Sequence, residues 1–452
     1  MNFEQSLYLE GWVCGLACMV YMLRIYRKTN SFVDIRLIAV GALFYLYALP
    51  GILASFSDVF ASEIVPAQLE SEYQTLLLLS LPIAFGAFFI GVSAKVPFRQ
   101  EYASPPISDP YSYEDKDVPQ VFISGVFLIA ALYGVGRQLM SAGGLFAVVN
   151  DGQASYLLAR SETGYIPYGV LASLVTVAVL TLVVWSLRRV RLGLFRFIFA
   201  AAVFCIGAAA VGLLTVRHYI AMMVLGICAQ LYHRDPALSR KLVPLMLIGF
   251  IGVAIVLEAV RTQGGVPDAA EINARFQGDS AYLEWTSHII RESERNGFLY
   301  GRHLADVPMF LVPRSVWPDK PVTSTMNRRF WPELADIGAE KLPGIVGEGY
   351  TTAGLLGVFC FAFVLGLAVR KANDWVQSNR SNELKYVLLA STLAGWAYSG
   401  VRVGLFGKQF LTFAIMLGQT ALLLRCGQFR KPVRLSSAGA SSLGAPATPE
   451  SA

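Results

Sequence analysis

Windows of roughly 20 apolar residues, the length that lets a helix cross a bilayer, recur along this chain from residue 8 to residue 425. A single long polar interval interrupts them. Of the 452 residues 55% are hydrophobic and 15% charged, with a mean hydropathy of +0.52, against roughly 25% charged in a soluble domain. That balance excludes an ordinary water-soluble fold. The expectation is an all-α polytopic membrane protein of about eleven transmembrane helices, over 8–26, 36–55, 73–94, 120–136, 165–187, 196–215, 218–232, 242–260, 345–369, 384–401 and 409–425. The domain plan is therefore helices 1–8 within residues 1–260, a large loop with amphipathic helices at 261–344, helices 9–11 at 345–425, and a tail at 426–452.

Orientation follows from loop charge, because Lys and Arg are retained on the cytoplasmic side. One alternating set of loops carries Arg24, Arg27, Lys28 and Arg36, then Arg188, Arg189, Arg191 and Arg196, then Arg234, Arg240 and Lys241, then Arg370, Lys371, Arg380 and Lys385. Those loops are expected inside. The loop between the second and third spans holds Asp58, Glu63, Glu70 and Glu72 with no basic residue, which places it outside. The N-terminus and the 261–344 interval then lie outside, and the C-terminus inside. The first apolar segment ends in Arg and Lys and lacks a small-residue cleavage site, so it reads as a retained span. The end of the tail, rich in Ser, Ala, Gly and Pro, cannot bury a core and reads as disordered. Residues 95–119 read as a cytoplasmic loop without chemistry.

Cys14, Cys18, Cys205, Cys228, Cys360 and Cys426 all fall within or at the ends of apolar spans, without metal-type pairing to nearby histidines. They read as small buried hydrophobes. His218, His233, His288 and His303 show no ligand spacing, so no metal site and no cofactor is expected. There is no P-loop, no Rossmann fingerprint and no Gly-x-Ser-x-Gly elbow, so nucleotide-driven transport and hydrolase chemistry lack support.

What remains is a set of cations where the positive-inside trend does not put them. Arg217 sits in a tight turn between two apolar segments, Arg261 closes the eighth span, and Arg402 and Lys408 occupy the short turn between the last two. Each alone could be an anchor whose head snorkels to the interface. Together with Arg314 and Lys320 they point instead to a convergent cationic pocket, since charges at membrane depth usually face a bundle interior or a substrate path. Such a pocket suits a diphosphate, because the arginine fork matches phosphate oxygens and stays charged at any relevant pH.

The long interval carries nine basic and eleven acidic residues between 262 and 344, so its charges are positioned rather than massed. Residues 282–296 read as an amphipathic helix, with Leu283, Ile289 and Ile290 opposed by Glu292, Glu294 and Arg295. Leu299 to Val312 is apolar enough to lie on or dip into the bilayer. Prolines 313, 318 and 321 then stop helical continuation. Trp317 and Trp331 read equally as interfacial anchors or as faces on which a sugar could stack. Glu348, among glycines at the start of the ninth span, is the best-placed carboxylate.

Two runs, Phe310-Leu311-Val312-Pro313-Arg314-Ser315-Val316-Trp317-Pro318-Asp319-Lys320-Pro321 and Gly347-Glu348-Gly349-Tyr350-Thr351-Thr352-Ala353-Gly354-Leu355-Leu356-Gly357, resemble the Wzy-type oligosaccharide repeat-unit polymerases. These are the bacterial O-antigen and related polysaccharide polymerases. Also similar are Ser141-Ala142-Gly143-Gly144-Leu145-Phe146 after the fourth span, Arg217, Arg261 and Arg402. The resemblance spans most of the chain, and the Trp-Pro-x-Lys-Pro run is its distinctive part. It implies a GT-C-like polymerase/ligase architecture in the bacterial inner membrane, with the long interval a periplasmic loop, the N-terminus periplasmic and the C-terminus cytoplasmic.

The implied activity is a metal-independent glycosyltransfer of polysaccharide and lipopolysaccharide biosynthesis. A growing glycan moves from undecaprenyl diphosphate to the nonreducing end of an incoming lipid-linked repeat unit. Arg217, Arg261 and Arg402, with Arg314, Lys320 and Lys408, are the expected diphosphate ligands, Lys320 ranking above Arg314. Glu348 is the first choice of base, followed by His303 and His288. Expected partners are undecaprenyl-diphosphate-linked oligosaccharides, membrane lipid and a chain-length regulator, with no nucleic acid. An O-antigen ligase of the same superfamily, or a lipid-linked oligosaccharide flippase, would share many of these features.

Overall fold

The computed structural model describes residues 2–29, 31, 33–56, 70–94, 118–141, 165–187, 194–213, 217–235, 237–239, 241–242, 282–312, 316–317, 319, 321, 323–336, 341, 343–405 and 408–426. Among them there are helices and no strand. In chain order these are α1 (Phe3–Thr29), α2 (Ile35–Ala54), α3 (Ser71–Ser93), α4 (Val118–Ser141), α5 (Tyr165–Leu187), α6 (Leu194–Leu213), α7 (Arg217–Arg234), α8 (Tyr282–Asn296), α9 (Asp306–Leu311), α10 (Thr325–Phe330), α11 (Pro332–Asp336), α12 (Gly344–Ser378), α13 (Glu383–Val403) and α14 (Lys408–Cys426).

Seven of them, α1 to α6 and α12, are long and apolar enough to cross a membrane, and α14 contributes a shorter apolar stretch, Phe410–Cys426. The expected span at 242–260 lies outside the described residues. Helix α13 falls short on hydropathy for a physical reason. It runs through the centre of the bundle, packed by α2, α5, α7, α12 and α14, and buries Ser391, Thr392 and Ser399 among its neighbours. A helix that touches protein rather than lipid does not need a uniformly apolar surface. The reverse holds for α1 and α6, where Leu16, Val20, Phe195, Phe197 and Ile198 are exposed.

Two helices depart from regular geometry. In α2 the backbone widens to a π turn over Phe44–Ala48, directly before Pro50, which has no N–H for the Leu46 carbonyl and would clash with it in a straight helix. In α12, Ala353 (φ −159°, ψ 37°) and Gly354 (φ 61°, ψ −145°) are non-helical, and the chain turns back on itself there. Gly349 packs against the backbone of Gly357 and Val358, where a Cβ would lie within 2.8 Å of the Val358 Cα; in a continuous helix eight residues span about 12 Å. The carbonyl of Thr351, freed by the break, accepts from the Leu299 N–H at 2.8 Å. Helix α12 is thus a short segment, 344–352, folded against a spanning segment, 355–378.

Helix α8 occupies 282–296 as its amphipathic pattern predicts, burying Leu283, Ile289 and Ile290. Ile289 joins Leu299, Met326, Phe330 and Trp331 in a small core of the loop region. Asp306 caps α10 from outside, accepting from the Thr325 N–H and hydroxyl, each at 2.7 Å. The Asn327 amide pins residue 341, donating to the Lys341 carbonyl at 3.0 Å and accepting its N–H at 2.7 Å. This loop region sits at the end of the bundle that holds the start of α12 and the end of α13.

Candidate functional site

The short 344–352 segment carries Glu348 into the protein. Its side chain is 3% exposed. One oxygen, Oε2, accepts from the Leu405 N–H at 2.5 Å, in the turn after α13. The other, Oε1, lies 3.6 Å from His303 Nε2, within ion-pair range and beyond a hydrogen bond. Gly404, between Arg402 and Leu405, is held at φ +104°, and a Cβ there would overlap the Glu348 carboxylate. Only glycine lets the chain pass so close to the acid.

His303 stands on a single 3₁₀ turn, Arg302–Ala305, entered through Gly301 in the left-handed region. It is as buried as Glu348, and neither ring nitrogen has a hydrogen-bond partner among the described residues. The Phe361 ring lies 6.5 Å away. A buried polar atom left without a partner costs roughly 1–3 kcal/mol, so such a group needs an explanation beyond packing. A carboxylate and an imidazole this close can serve as general acid–base groups toward a reacting group that comes within hydrogen-bond reach of either.

Arg402, in the last turn of α13, is half-buried and donates from Nε to the Tyr282 hydroxyl at 3.1 Å. Tyr282 stands edge-on to Tyr47 at 5.9 Å. Tyr47 lies on the π turn of α2, and its hydroxyl reaches the start of α12, where a Cβ on Gly344 would overlap it. Arg402 is also within electrostatic reach of His218. Arg217 and Lys408 open α7 and α14, both of which pack on α13, at this same end of the bundle.

Of the residues expected from sequence, the structure therefore brings Glu348 and His303 together and sets Arg402 with the first residues of α7 and α14 nearby. Arg261, Arg314 and Lys320 lie outside the described residues. His288 belongs to the loop core instead. Its Nε2 donates to the Phe330 carbonyl at 2.9 Å, Nδ1 accepts from Arg291 at 3.1 Å, and its ring stacks on Trp331 at 5.5 Å. Trp331 is 8% exposed, and the Lys341 ammonium sits 5.5 Å from its ring and 5.8 Å from that of Trp285. Trp317 is 37% exposed.

Sequence reasoning passed over Tyr47, Tyr282, Gly404 and the Leu405 amide. The traces were there in Pro50 inside an apolar span and in a glycine two residues after an arginine at a membrane boundary. Among the described residues no group of three His, Cys, Asp or Glu side chains could hold a metal ion. Fold and site together define an all-α membrane protein with a buried acid–imidazole pair at one end of its helical bundle. Compared with protein-family models, with curated proteins and with solved structures, the chain matches none.

Proposed function

We propose that this protein is a polysaccharide polymerase of the Wzy type. In this reading it is an inner-membrane enzyme of GT-C-like architecture with eleven spans, its N-terminus periplasmic, its C-terminus cytoplasmic, and the 261–344 loop in the periplasm. The observation that carries the reading is the buried Glu348–His303 pair, which joins two residues proposed as bases from distant parts of the chain. In support, α7 and α14, which open at Arg217 and Lys408, pack on α13 near its end at Arg402, in keeping with the cationic surroundings a diphosphate needs.

The reaction is a displacement at the anomeric carbon of the donor. An acceptor hydroxyl oxygen forms the new bond to that carbon, the bond from carbon to diphosphate oxygen breaks, and undecaprenyl diphosphate leaves with the electron pair. The acceptor proton passes to Glu348, with His303 beside it. Arg402, Arg217, Arg261 and Lys408 hold the diphosphate and offset the charge that grows on it, with Lys320 and Arg314 assisting from the loop. The energy of the glycosidic bond comes from the donor, in keeping with the lack of nucleotide motifs in the chain.

The break in α12 gives a flippase a specific claim, because transporters place substrate sites at discontinuous helices near the bilayer midplane. The break here lies near one end instead. Residues 355–378 alone span about 36 Å, enough to cross the membrane. The glycan profile of a deletion strain separates the readings. Single-repeat caps without a ladder are the expected result. Full-length chains held on the lipid carrier would identify a ligase, and repeat units stranded on the inner leaflet would identify a flippase.

A further inference from the structure

Tyr300 is the one non-glycine residue with positive φ among the described residues, at +49°, and its ring is 72% exposed. Bulky side chains occupy this region only where the surroundings force them to. Here the forcing can be traced. Tyr300 lies in the turn Gly297-Phe298-Leu299-Tyr300-Gly301, whose two glycines both sit at φ +79°. The turn is clamped from two sides. Arg329 donates to the carbonyls of Asn296, at 2.8 Å, and Gly297, while the Leu299 N–H is held by Thr351 at the break in α12 and the Leu299 carbonyl accepts from the Arg302 N–H at 3.0 Å. Phe298 packs edge-on to Tyr300 at 6.0 Å and lies 6.1 Å from Tyr350, whose hydroxyl donates to Glu294 at 2.8 Å.

We infer that the Tyr300 ring is a stacking face for a sugar residue of the substrate, three positions from His303 and two from the exposed Arg302. A sugar ring presents one face of C–H bonds, which pairs with the apolar face of an aromatic ring, while hydroxyls at its rim take hydrogen bonds from neighbours such as a guanidinium. Stacking is favoured by a ring held in place: the clamped turn fixes the direction in which the side chain leaves the backbone, and the edge-on Phe298 ring flanks it on one side. An interfacial anchor only partitions its ring into the headgroup layer and gains nothing from a costly backbone conformation. The assignment to sugar rests on the polymerase reading, and it puts a substrate-binding residue on the turn that leads into the 3₁₀ turn of His303.

Three substitutions in the full-length protein test it. Tyr300→Gly suits the backbone and removes the ring, Tyr300→Leu keeps apolar bulk, and Tyr300→Phe keeps the ring. The first readout is saturation-transfer NMR on the detergent-purified protein, with repeat-unit oligosaccharide released by mild acid from the host's lipid carrier as the probe. Saturation of sugar-ring protons is expected with wild type and Tyr300→Phe, and several-fold less with Tyr300→Gly and Tyr300→Leu. The second readout is the polymer ladder, expected to shorten for Gly and Leu while membrane abundance and thermal stability hold or rise. Equal saturation in all four proteins, no saturation with wild type, or a normal ladder from Tyr300→Leu overturns the inference. A deletion strain that keeps its ladder would sink the polymerase reading instead, and the NMR comparison decides the stacking face separately from it.

Discussion

The two ends of the helical bundle differ in what they do with charge at the heart of the fold. At the end that joins α1 to α2, polar groups pair locally and cap helices. Asp34 accepts from the Arg36 N–H, pairs with its guanidinium at 2.6 Å and starts α2, while Asn382 accepts from the Lys385 N–H to start α13. Arg234 meets Glu383 at 2.6 Å, and Arg370 meets Asp374 one turn on at 2.9 Å. At the end that carries the loop region, the acid and imidazole are buried 3.6 Å apart, a helix is broken, and Arg402 donates to the Tyr282 phenol. The pairs and caps of the first end are what stability alone would ask for. The second carries costs that folding does not require, and residues violate local rules in this way where function asks for it.

That contrast can be broken most decisively at Glu348. Glu348→Gln keeps the volume and an acceptor for the Leu405 N–H but removes the carboxylate, and if Glu348 is the base of the proposed reaction its loss slows that reaction by about 100- to 10,000-fold. Long-chain polymer is expected to vanish on a glycan gel while the protein stays in the membrane at normal level. Arg402→Ala comes next, with an expected loss of about 100- to 1,000-fold, the range for removing one donor aimed at developing charge. Normal chains from either variant would place the chemistry elsewhere. Gly404→Ala tests the architecture without assuming any function. Strain at φ +104° and overlap with the Glu348 carboxylate together should destabilise the protein by about 2–6 kcal/mol, read as a lowered melting temperature in detergent.

How far these features could be read from sequence depended on whether they are periodic. Hydropathy located α5 at 165–187, a run apolar on every side, and the amphipathic pattern located α8, because each is a regular pattern along the chain. The break at Ala353–Gly354 escaped because a helix folded on itself has the same composition as a straight one, so 345–369 reads as one continuous span. His288 and His303 look alike in sequence. Burial and partners separate them, since His288 has carbonyl, guanidinium and indole around it and His303 has Glu348. The Leu405 amide that holds Glu348 is backbone, and no residue type announces it.

Smaller effects are expected at the opposite end, and they sharpen the comparison because they should leave polymer untouched. Asp34→Ala removes the cap of α2 and the partner of the nearly buried Arg36, so a loss of about 1–2 kcal/mol in stability is expected. Glu383→Ala should cost less. Its pair with Arg234 is partly exposed, with side-chain accessibilities of 26% for the arginine and 13% for the acid, and such pairs contribute about 0.2–1 kcal/mol. Thermal shift in detergent measures the stability, and the polymer ladder of the same variant measures the function. A Glu383→Ala protein that melts normally yet makes no long chains would mean that this end, too, holds residues placed for function, and the division between a structural end and a working end would fall.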